Sequence, residues 1–159
     1  MSDTISKIIE EKHAQAVTGT DAAPALTMDE WMTGGIVSGA ITCHEAAKTW
    51  WLDQETGEDV RTWPQKFFKL WVSTKLFLIV SEVVEAFEGY RKDVMDTHLT
   101  ERKMFVVELA DTFIRLFDLI GGLGLAAEVA KAIIEKLAYN AQRADHKPEN
   151  RKKKGGKQF

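Results

Sequence analysis

Long stretches of this chain repeat apolar residues at intervals of three and four, and no stretch alternates them. Leu76, Val80, Val83 and Phe87 follow that spacing in one, and Val106, Leu109, Phe113, Leu116, Phe117 and Ile120 in the next. The repeat matches the turn of an α-helix and not the two-residue period of a strand. A further long helix is expected over roughly 125–145, where Pro148 blocks extension, and an earlier one over Ile36 to Trp51. Helices with one apolar face and short connections bury those faces against each other. The expected fold is therefore all-α, an antiparallel helical bundle.

Punctuation between the stretches refines the boundaries. Gly19, Asp21, Pro24, Gly34 and Gly35 read as linker, after a short polar helix over 4–18. Thr62 or Trp63 is expected to cap the helix that carries Pro64 in its first turn and runs to about Tyr90. Thr100 is expected to cap the next, and Gly121, Gly122 and Gly124 to end it. Three regions result: a polar helix and linker over 1–35, a helical domain over 36–146, and a basic tail over 147–159.

Charge and composition exclude several classes. Six cations and one anion in the tail make it +5, which leaves −8 on the rest of a chain whose net charge is −3. An acidic body argues against a duplex nucleic acid partner, which would need a basic face on the folded part. No apolar run is long enough for a bilayer. Lys7, Glu10, Glu11 and Lys12 stand where a secretory leader would be apolar. Cys43 is the only cysteine, so no intrachain disulfide can form. The expectation is a cytoplasmic protein without a membrane partner.

The residues that carry chemistry are acids among apolar neighbours. Glu82 and Glu85, like Glu108 and Asp111, are spaced i, i+3, so each pair shares one helix face. Val80, Val83 and Val84 flank the first pair, and Val106, Val107 and Leu109 the second. Four carboxylates converging from neighbouring helices would repel one another in a poorly solvated place. A divalent cation offsets that repulsion. An all-oxygen donor set suits Mg²⁺, with Mn²⁺ as a substitute, and Mg²⁺ favours phosphate-bearing substrates. A di-iron bundle would need Glu-x-x-His on two helices, and only Glu10 and His13 have that spacing.

The stretch from Lys75 through Ser81-Glu-Val-Val-Glu85 to Lys92, followed by Glu108-Leu-Ala-Asp111, resembles the MazG-like all-α nucleoside triphosphate pyrophosphohydrolases, whose signature is E-x-x-E, a spacer, then E-x-x-D. Lys136-Leu-Ala-Tyr-Asn140-Ala-Gln-Arg143 looks like that family's later K-x-x-x-N-x-x-R helix, and the segment His44 to Trp51 like its upstream His and Trp segment. The resemblance covers roughly 40–146. It implies cleavage between the α- and β-phosphates of a nucleoside triphosphate, giving a monophosphate and pyrophosphate. It also implies Mg²⁺ held by Glu82, Glu85, Glu108 and Asp111, with one of these acids as a possible base, and a homodimer or homotetramer. The family's His-Gly-Lys-x-Phe ending is interrupted here by 147–154.

Lys75, Lys136 and Arg143 are the cations expected to hold phosphates. Lys136, Asn140 and Arg143 fall at i, i+4 and i+7 on one face, and Asn140 is expected to bond base or sugar. Trp51 is the aromatic expected to stack on a base, His44 is expected to be structural, and Arg115 to pair with Asp111 or Asp118. The alternative function is a helical module that binds nucleotide or metal without turnover.

Overall fold

The structure is a computed structural model, and it describes residues 26–143. The expected N-terminal helix over 4–18 and the basic tail lie outside the described residues. The chain divides into two compact units, Met1–Met32 and Thr33–Phe159. Only residues 26–32 of the first are described, and they hold the start of the first helix.

The described residues form four α-helices: α1 Met28–Ala47, α2 Gln65–Lys92, α3 Met104–Gly122 and α4 Ala126–Gln142. Two short 3₁₀ turns, Lys48–Trp51 and Val60–Thr62, lie between α1 and α2. No strand occurs among the described residues, only the isolated bridges Leu52 to Asp59 and Met95 to Lys103. The described residues are all-α, and no helix among them is long and apolar enough to cross a membrane.

Several expected boundaries move, each for a local reason. The linker reading of residues up to 34 fails from Met28 onward, because a capping box starts α1 there. The Glu30 N–H donates to Thr27 Oγ1 (3.2 Å), and Glu30 Oε2 accepts from the Thr27 N–H (2.8 Å). That reciprocal pair satisfies two otherwise orphaned donors, so Gly34 and Gly35 lie within a helix. The α-helix stops at Ala47, and Trp51 ends a 3₁₀ turn instead. Helix α3 begins at Met104 and not after Thr100. The loop before it is occupied by its own bonds: Asp96 Oδ1 accepts from the N–H groups of His98 and Leu99, and the Asp96 N–H donates to Arg102 O. Gly121 and Gly122 are inside α3, and Gly124, with φ +69°, makes the left-handed turn into α4.

Helices α2 and α3 run antiparallel. Lys75 meets Asp118, Glu82 meets Arg115, and Gly89 meets Met104 and Phe105, so partner numbers fall as α2 advances. Gly89 permits the approach, since a Cβ there would lie 2.7 Å from the Phe105 nitrogen. The packed core is Trp51, Val60 and Leu119, with Trp71, Phe68 and Ile79 against it. Trp51 is fully buried, which contributes roughly 4–6 kcal/mol for an aromatic of its area. Gly122 makes that burial possible: a Cβ on it would stand 2.1 Å from Trp51 Cζ2. The opposite side of α2 is different in character. Phe77, Val80, Val84 and Phe87 are all exposed, Phe77 to 73%.

Candidate functional site

The helical period puts Glu82 on the face of α2 that meets α3, and Glu108 and Asp111 on the face of α3 that meets α2. One oxygen from each lies within 4.8 Å of the others. Glu82 and Glu108 are buried and Asp111 is half-buried. Glu85, one turn further along α2, is exposed and outside this group of three. It remains near enough for its charge to act on Glu108.

Crowding shows in the protonation of Glu108. Burial first, then a hydrogen bond with Glu82 and the charges of Glu85, Glu82 and Asp111, push its carboxyl up to about 7. Arg115 answers these acids directly: its Nε donates to Glu82 Oε1. The expected pairing of Arg115 with Asp111 or Asp118 is thus replaced by a bond across to α2. Asp118, the i+3 neighbour on α3, is already bonded to Trp51, His44 and Lys75, whereas the antiparallel partner helix offers the buried Glu82 carboxylate.

The shift of Glu108 has a measurable sign. Between its ordinary 4.5 and about 7 the folded chain keeps a proton that the unfolded chain has lost. Stability of the metal-free protein therefore falls as pH rises through that window and levels above it, by roughly 3 kcal/mol at most. Glu88, held down to about 2 by Arg91 and Lys92, acts only below 4.5. Thermal melts in chelator at pH 5, 6, 7 and 8 should show a declining midpoint. A midpoint that rises across this range would contradict the crowded-carboxylate geometry.

A second buried acid organises the neighbouring end of the site. Asp118, 4% exposed, receives three donors. Trp51 Nε1 and His44 Nδ1 reach its Oδ1 at 2.7 and 3.0 Å, and Lys75 Nζ reaches Oδ2 at 2.8 Å. The Lys75 ammonium also lies over the rings of Trp51 and Trp71, 5.2 and 4.9 Å from their centroids. One carboxylate thereby ties α1, the first 3₁₀ turn, α2 and α3 together. His44 has the structural place expected of it.

Beside both features is a cavity of about 580 Å³. Asp111 belongs to its lining and to the carboxylate group alike, and Arg115, Lys75, Asp118, Trp50 and Trp71 line it too. The arrangement joins an oxygen-rich cluster to an aromatic-walled space. The donor set is three carboxylates without nitrogen or sulfur, which fits a hard divalent cation.

The remaining expected site residues are placed as follows. Trp51 is enclosed in the core, and Trp50, 65% exposed, is the neighbour that faces the cavity. Lys136, Asn140 and Arg143 do not line this cavity. The Lys136 ammonium lies 4.8 Å from the Tyr139 ring centroid and the Arg143 guanidinium 6.0 Å from it. Asn140 Oδ1 is enclosed without a hydrogen-bond partner. Sequence reasoning missed the gathering role of Asp118, although its place seven residues after Asp111, on the same helix face, was the available signal. Comparison with protein-family models, curated proteins and solved structures returned no match to this chain.

Proposed function

We propose that the protein is a magnesium-dependent nucleotide pyrophosphohydrolase, cleaving the α–β phosphate bond of a nucleoside triphosphate to give the monophosphate and pyrophosphate. The observation that carries this reading is the convergence of Glu82, Glu108 and Asp111 within 4.8 Å, with Asp111 also lining an aromatic-walled cavity. The E-x-x-E and E-x-x-D pattern that resembles the MazG-like family supplies the same three acids, and with it the antiparallel bundle type.

Glu82, Glu108 and Asp111 would hold the cation. A Mg²⁺ ion bound there would supply positive charge against phosphate oxygens and acidify a water for attack. Glu85 is the signature acid left outside the group of three, solvent-exposed and adjacent, and we assign it to accept the proton of the attacking water. Arg115, on the boundary between the acids and the cavity, is positioned to face charge developing on phosphate. The phosphate and sugar contacts expected of Lys136, Asn140 and Arg143 rest on the resemblance of that helix. Cytoplasmic nucleotides are the natural substrate pool.

A panel of ribo- and deoxynucleoside triphosphates, assayed for pyrophosphate with Mg²⁺ and with EDTA, tests the proposal. The expected result is metal-dependent release from at least one member. Mg²⁺-dependent binding without release would favour the non-catalytic module instead.

The exposed apolar side of α2, with Phe77, Val80, Val84 and Phe87, supports assembly into a dimer or tetramer. Light scattering should give two or four times the mass of one chain. A single-chain mass at micromolar concentration would remove this part of the proposal.

A further inference from the structure

We infer that the Lys75–Asp118 end of the cavity receives the nucleobase, so that Lys75 reads base and does not hold phosphate. This goes deeper into the proposed hydrolase reading and rests on it. The ligand class for this end is a neutral, flat heteroaromatic ring with hydrogen-bonding edges.

Position is the first argument. Lys75 precedes Glu82 by seven residues on α2, and Asp118 follows Asp111 by seven on α3. Seven residues are roughly 10 Å of helix. A phosphate bound at the carboxylates sits about two helical turns from Lys75 along α2, whereas a base carried across the sugar from that phosphate extends toward it.

Charge is the second. A terminal phosphate laid along the cavity toward Lys75 would meet Asp118, whose carboxylate already holds the ammonium at 2.8 Å. The pair is neutral as a unit, and both side chains are largely enclosed, 16% and 6% exposed. A dianion beside that buried carboxylate would be repelled in poorly screened surroundings.

Walls and donors are the third. Trp50, Trp71, Leu78 and Ile114 give this cavity apolar and aromatic sides, which suit a ring and not a phosphate. An ammonium carries three N–H donors, and one is spent on Asp118. The carboxylate has about four acceptor positions, of which Trp51, His44 and Lys75 take three. That count leaves one acceptor position on Asp118 Oδ2 and ammonium N–H groups on Lys75, the two kinds of partner that a base edge with its acceptors and donors requires.

The test separates base from phosphate by offering each alone to the full-length protein. Free nucleosides of all five bases are titrated in EDTA, and tripolyphosphate is titrated with Mg²⁺, both by calorimetry. The variants are Lys75→Met and the paired Lys75→Met, Asp118→Asn. The paired variant removes both charges together, so no buried ion is stranded if the single one fails to fold. The expected result is metal-independent binding of at least one nucleoside, weakened about tenfold in the variants, with tripolyphosphate binding unchanged. Loss of tripolyphosphate binding in the variants, or no nucleoside binding by the wild type, overturns the inference while leaving the hydrolase reading intact. Failure of tripolyphosphate to bind the wild type with Mg²⁺ overturns both.

Discussion

Changing Glu82 and Glu108 together to glutamine should cut magnesium-dependent pyrophosphate release by about 100-fold or more, the scale on which preorganised charge in an active site is lost. Glutamine keeps the shape and the oxygen of each side chain and removes the charge that a hard cation requires. Protein that has merely unfolded would give the same loss, so the companion measurement matters. The Glu108→Gln change alone should raise the melting temperature of metal-free protein at pH 8. It removes the acid whose carboxyl is pushed up to about 7 by burial and by Glu82, Glu85 and Asp111. Activity falling while the metal-free fold strengthens is the signature of a site whose repulsion is kept for function. Full turnover in the double variant would refute the assignment of these acids.

Removing the carboxylate of Asp118 should be among the most damaging single changes in the described residues. An Asp118→Ala variant strands the Lys75 ammonium, the Trp51 indole N–H and the His44 ring nitrogen in a largely enclosed place. Breaking a buried pair by deleting one partner costs about 3–5 kcal/mol, or roughly 6–20 °C in melting temperature for a chain of this size. Replacing both members, as in Lys75→Met with Asp118→Asn, should recover a large part of that loss, because no ion is left without a counter-charge. Urea midpoints of the wild type and the two variants measure the difference. A cost under about 1 kcal/mol for Asp118→Ala would mean the network is solvated in solution.

The candidate site was partly legible in advance because helical periodicity is a local property. The i, i+3 spacing put Glu108 and Asp111 on one face of α3, and Glu82 joined them from α2. The same rule set Glu85 on that face, yet the turn-by-turn rotation of α2 leaves it exposed beside the group. Trp50 and Trp51 show the limit of local reasoning. They are neighbours in one 3₁₀ turn, alike in chemistry, and one is 65% exposed while the other is fully buried. Only Gly122, far away in sequence, makes room for the second.

The amino-acid sequence by itself determined that the described chain is helical, roughly where α2 and α4 run, and which acids share a face, because each follows from bonds and spacings within a few residues. Tertiary structure decided the partners. Arg115 bonds Glu82 and not its own neighbours on α3, Asp118 gathers donors from three other elements, and the wall of the cavity is Trp50. Those choices depend on which helices approach and how closely, which small residues such as Gly89 and Gly122 permit and no single-helix pattern encodes.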